Sequence, residues 1–127
     1  MATWADVRRV AESLPEVTPR AGDTMQWRVK DKLFIWERPL RKRDLEELGD
    51  AAPTGAVLAA RVADEGDKEA LVAASPDVYF TTSHFDGHRI VLVRLSRIGR
   101  RELRELVTDA WLDRAPRALV RQFRAGG

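Results

Sequence analysis

The chain predicts an α+β fold in which helices pack on an antiparallel sheet, and three observations carry that prediction. Thr24 to Val29 and Lys32 to Trp36 read as two strands joined at Lys30-Asp31. Trp27 and Val29 alternate there with Gln26 and Arg28, as a half-buried strand requires. Val78 to Leu95 runs from an aromatic strand through a polar His-Gly turn into a Val/Leu strand. Finally, Leu103, Leu106, Val107, Ala110 and Trp111 recur at i, i+3, i+4, i+7 and i+8, the stripe of an amphipathic helix. Helices that follow and interrupt hairpin-forming strands define the α+β class.

The elements follow in order. Thr3 is a good N-cap, with Asp6 where a capping box usually carries Glu or Gln. Trp4, Val7, Val10, Ala11 and Leu14 then recur at helical spacing until Pro15 stops the run. After the first two strands, residues 37–55 form a charged excursion punctuated by Pro and Gly, with one or two helical turns at Lys42 to Leu48. Gly55 to Val62 reads as a third strand despite its alanines. Asp67 to Ala74 is a short helix with Ala70, Leu71 and Ala74 on one face, closed by Ser75-Pro76-Asp77. Val78 to Thr82 and Arg89 to Leu95 are the fourth and fifth strands. Gly99 is the N-cap of the long helix, Ala115-Pro116 breaks it, and Arg117 to Phe123 makes a last helical segment. With no repeat, low-complexity tract or linker, residues 1–127 are expected to form one domain.

Composition narrows the chemistry. The chain has no cysteine, which excludes a disulfide framework, thiolate metal sites and a cysteine nucleophile. Its first residues carry charges inside the apolar pattern and lack the apolar core of a signal peptide. No apolar run approaches the ~20 residues that span a bilayer, so a soluble, cytoplasmic protein without membrane contact is expected. The net charge of +2 conceals an asymmetry. Residues 1–88 hold 12 Lys/Arg against 16 Asp/Glu, whereas residues 89–127 hold 10 Arg against 4 Asp/Glu. Such a split points to a polyanion partner or to a merely solvated helix face. Of the basic residues 18 are Arg and 4 are Lys, and arginine suits bidentate phosphate binding.

The pieces and their order resemble the MmcQ/YjbR family of small bacterial proteins over nearly the whole chain. They are Leu14-Pro15-Glu16-Val17 closing the first helix, Trp27-Arg28-Val29 leading to Lys32-Leu33-Phe34, and Tyr79-Phe80-Thr81-Thr82. His84-Phe85-Asp86-Gly87, Val91-Leu92-Val93-Arg94-Leu95, Ala110-Trp111 and Ala115-Pro116 follow. No single piece is distinctive, but seven in the same order are. The resemblance implies an α-β(3)-α-β(2)-α fold of double-wing type and DNA binding. Ser83 stands where the family often has proline, His88 where tyrosine is usual, and the 37–54 excursion is longer than in compact members.

Candidate functional residues centre on Ser96-Arg97-Ile98-Gly99-Arg100-Arg101, where a strand leads into the long helix. Cations in the first turn of a helix are disfavoured by ~0.3–1 kcal/mol each. A bound phosphate on the free N–H groups would reverse that cost. Arg97, Arg100, Arg101 and Arg104, joined by Arg94, Lys30 and Lys32, are the expected phosphate contacts on one basic face, with the sheet hairpins as wings. The alternative reading pairs Arg101 with Glu105 one turn on. A second basic run, Arg38-Pro39-Leu40-Arg41-Lys42-Arg43 beside Trp36, suits a nucleic-acid backbone, but Asp44, Glu46 and Glu47 directly after it suit a neutralised loop better. His84 and His88 flank Asp86, yet Gly87 denies them helical metal-ligand geometry, so His84 is read as a turn residue and a possible ligand position. No nucleophile, base and acid form a catalytic set. The expectation is therefore a non-enzymatic DNA-binding protein without cofactor or metal. The alternative is a protein-protein module, homodimeric or chaperone-like, anchored by an exposed Trp36 and Leu40.

Overall fold

The computed structural model describes residues 2–126. Helix α1, Trp4–Ser13, starts at the expected cap: Asp6 N–H donates to Thr3 Oγ1 at 3.3 Å and Thr3 N–H to Asp6 Oδ2 at 2.9 Å. The strands are β1 (Val17–Arg20), β2 (Gln26–Val29), β3 (Lys32–Glu37), β4 (Val57–Arg61), β5 (Tyr79–Phe80) and β6 (Ile90–Arg94). Helix α2 (Lys42–Leu48) occupies the excursion, α3 (Glu65–Ala74) joins β4 to β5, and α4 (Arg100–Arg114) and α5 (Arg117–Gly126) close the order. This is the expected α+β arrangement with one addition. The strand β1 was not expected, because only Val17 is even half-buried while Thr18, Pro19 and Arg20 are exposed. It lies at the sheet edge, where proline withholds no needed ladder hydrogen bond.

The sheet order is β1-β2-β3-β4-β6-β5, with every neighbouring pair antiparallel. Both β4 and β5 oppose β6, so they run parallel to each other with β6 between them, a split β-α-β built through α3. Side chains alternate across the sheet. Val91 and Val93 of β6 join Leu58, Ala60, Trp27 and the helices in the larger core. Ile90 and Leu92 join Val57, Ala59, Phe80 and Phe85 on the opposite face. That second face is covered by the excursion through Trp36, Leu40 and Leu48, so Trp36 and Leu40 are half-buried packing residues rather than an exposed anchor.

Helix α4 buries Leu103, Leu106, Val107, Ala110 and Trp111, the residues its periodicity singles out. It lies parallel to α1. Near their starts Arg100 Nε meets Asp6 Oδ1 at 3.6 Å, and near their ends Trp111 Nε1 donates to the Pro15 carbonyl at 3.0 Å.

Candidate nucleic-acid interface

The parallel packing of α1 and α4 sets two helix N-termini side by side, so the positive ends of two macrodipoles reinforce each other. Gly99 is the N-cap of α4 and, having no side chain, leaves the first-turn N–H groups uncapped. At 100° per residue, Arg100, Arg101 and Arg104 share one flank of α4, next to α1, while Glu102 and Asp109 occupy the other flank. Arg97, Arg100, Arg101 and Arg104 are all exposed.

Their partners are weak or missing. Arg101 pairs with Glu105 at 3.7 Å, but its side chain is 95% exposed, and pairs of that kind contribute at most about 1 kcal/mol. Arg100 reaches Asp6 with a side chain 75% exposed. Among the described residues Arg97 and Arg104 form no ion pair. The structure adds Arg9, whose Nη1 lies 3.2 Å from Asp6 Oδ1. Asp6 thus serves both helices. The Thr3 N–H bond chiefly holds its carboxyl below the ordinary aspartate value, against the opposing effect of burial, with help from the Thr3 hydroxyl, Arg100 and Arg9.

The other expected contacts stand elsewhere, and the seven basic residues do not form one continuous face. Lys30 Nζ pairs with Glu16 Oε1 at 3.0 Å, just beyond the end of α1. Lys32 is exposed on the same hairpin. That hairpin tip is separated from Arg100 by the length of α1, roughly 15 Å at 1.5 Å per residue. Arg94 leaves β6 on the face away from α4. It donates to the carbonyls of Ala51 at 2.8 Å and Pro76 at 3.0 Å, and its guanidinium lies 4.5 Å from the Phe80 ring centroid. Burial, with the neighbouring Arg97 second, lowers its pKa. Arg94 is a clip between chain segments.

The run at 38–43 divides in the same way. Arg38 is buried, pairs with buried Asp44 at 3.1 Å and lies 5.3 Å from the Phe85 centroid. Arg41, Lys42 and Arg43 are exposed. Exposed His84 makes an edge contact with the Phe85 ring at 4.9 Å. The turn around it is fixed by Glu47, which accepts from Ser83 N–H and Oγ at 2.9 and 2.6 Å. Buried Lys68 also holds it, donating to the carbonyls of Phe85 and His88 at 2.8 and 3.0 Å. The sequence gives no sign of that lysine's role, which depends on α3 crossing the turn. Among the described residues no three His, Cys, Asp or Glu side chains converge as a metal site, and no helix is long and apolar enough to cross a membrane.

The architecture is that of a small α+β domain with exposed arginines around the start of α4. The YjbR family model matches residues 12–112, and the chain belongs to the YjbR family. It is 52% identical over 98% of both chains to the proteins named Uncharacterized protein Rv2570 of Mycobacterium tuberculosis (strain ATCC 25618 / H37Rv) and Uncharacterized protein Mb2600 of Mycobacterium bovis. Among solved structures, the fold is similar to Deinococcus radiodurans protein DR2400, a DUF419 domain. That match has a TM-score of 0.69 at 20% identity, and covers 98% of this chain and 89% of that one.

Proposed function

We propose that this protein is a non-catalytic DNA-binding domain that grips phosphates without reading sequence. The observation that carries this reading is the uncapped start of α4 beside the start of α1, ringed by exposed Arg9, Arg97, Arg100, Arg101 and Arg104. Phosphate oxygens can accept from the free N–H groups and from the guanidinium forks together. Contacts of this type give affinity and position, with little sequence discrimination. The hairpin carrying Lys30 and Lys32 lies roughly one α1 length away, comparable with the ~12 Å width of a major groove. It supplies a wing that reaches a second row of phosphates.

Fluorescence anisotropy with a labelled duplex at stepped salt concentrations tests the proposal. Each phosphate contact contributes about −0.9 to the slope of log K against log salt. Wild type should bind at ~50 mM salt with a slope that flattens when the arginines are replaced. No binding to duplex DNA at that salt would overturn it.

A further inference from the structure

A cleft of about 1220 Å³ opens between α3, α4 and α5, on the flank of α4 away from the arginine edge. It exceeds the ~300–1,000 Å³ of typical small-molecule sites. Leu71, Leu106, Leu112 and Val120 give it apolar walls. Its charged groups are sorted along its length. Glu102 stands toward the start of α4, Glu105 and Asp109 follow it about one turn apart, and Asp67 joins them from α3. Tyr79 Oη donates to Glu102 Oε2 there at 2.5 Å. Burial, and after it Glu105 and Asp67, pushes the Asp109 carboxyl up. Among the described residues Asp67, Glu102 and Asp109 have no cationic partner.

The end near the close of α4 has the opposite excess. Arg61 lines it, and Arg89 and Arg114 stand close enough to oppose its charge, with Asp113 the one carboxylate acting on it. Arg89 reaches Asp113 at 3.7 Å. Arg61 Nε, Arg114 Nε and Asp113 Oδ2 are shielded from solvent without a hydrogen-bond partner. Arg117, Arg121 and Arg124 of α5 face the same space and form no ion pair among the described residues. Glu102 stands roughly 16 Å along α4 from Asp113, the carboxylate beside Arg61, so the two ends of the cleft do not pair with each other.

We propose that this cleft binds an elongated zwitterionic small molecule: its protonated amine lies at Glu102, its oxyanion at Arg61, and an apolar body spans Leu71, Leu106 and Val120. The two charged ends supply the few placed polar groups that fix orientation in a mostly apolar site. None of the arginines at the start of α4 takes part, so the cleft and the DNA reading stand or fall separately.

The experiment follows backbone amide shifts of the whole chain by NMR during titration with aminododecanoate, dodecylamine and dodecanoate. The zwitterion should bind about tenfold or more tightly than either singly charged chain, as one added charge-assisted hydrogen bond implies, with shifts confined to α3, α4 and α5. Glu102→Gln should weaken aminododecanoate and dodecylamine while leaving dodecanoate unchanged. Arg61→Gln should do the reverse, and exposed Arg121→Gln stands in for it should Arg61 be needed for folding. Dodecanoate or dodecylamine binding as tightly as the zwitterion would overturn the proposal, as would the absence of shifts along the cleft with all three probes.

Discussion

The starts of α1 and α4 lie side by side and have opposite chemistry. At α1 the side chain of Thr3 satisfies the Asp6 N–H, Asp6 satisfies the Thr3 N–H, and the carboxylate places negative charge where the dipole is positive. At α4 the cap is glycine, and Arg100 and Arg101 occupy the first turn. Glu102 is the only acid in that turn, and Tyr79 Oη donates to its carboxylate. One terminus is complete within the fold, whereas the other leaves donors and cations facing water. Both helices bury an apolar stripe in the same core, so the packing does not require the difference. A terminus left open among arginines is the place where an external anion would gain most.

Several substitutions would break or sharpen that contrast. Trp111→Ala removes the buried ring and its bond to Pro15, which hold the far ends of α1 and α4 together. It should cost about 3–5 kcal/mol, seen as an early urea midpoint, with the DNA edge lost along with the fold. Replacing Arg97, Arg100, Arg101 and Arg104 together by Gln leaves the core intact and should flatten the salt slope for duplex DNA by roughly 3–4. Asp6→Asn opens the closed terminus. It should lower the melting temperature while strengthening DNA binding, because Arg9 and Arg100 lose their carboxylate.

The same carboxylate makes a pH prediction. A depressed pKa in the folded state means that the stabilisation is present above the ordinary aspartate value of 3.8 and is lost as pH falls through the lowered one. Thermal melts of wild type and Asp6→Asn should therefore converge as the buffer is acidified through that range. Asp109 has the opposite sign. Its raised pKa weakens the fold as pH rises from 3.8 through the folded value, and Asp109→Asn should abolish that component. The smallest effect is expected from Gly99→Asp, which has open space for its side chain. It should stabilise α4 by about 0.5 kcal/mol and weaken duplex binding by placing an acid at the anion's position.

Much of the architecture was readable from residue order, and the reasons are local. Five apolar residues at helical spacing define α4, and Thr3 with Asp6 fixes the start of α1. The edge strand β1 escaped because an exposed strand carries no apolar alternation, and Pro19 argues against one. The basic cluster was legible where its members are neighbours in sequence, at Arg97 to Arg104. Grouping them with Lys30 and Lys32 failed because α1 lies between the two sets. Arg9 was missed since its link to Arg100 passes through Asp6, which only tertiary packing reveals. The cleft was equally hidden: Glu102 and Arg61 become two ends of one space only when α3, α4 and α5 are assembled.

The central place of β6 has a consequence for how the molecule is made. It bridges β4 and β5, and the bond between Pro15 and Trp111 joins residues 96 positions apart. On a ribosome, the first helix and hairpin would emerge long before the strand and helix that cover them. Their apolar faces must wait, exposed to chaperones and to each other, until about residue 111 is free. Heavy reliance on distant pairings makes folding slower than that of helical bundles of the same size. Shortened chains ending before α4 should consequently be substrates for proteolysis rather than smaller versions of this fold.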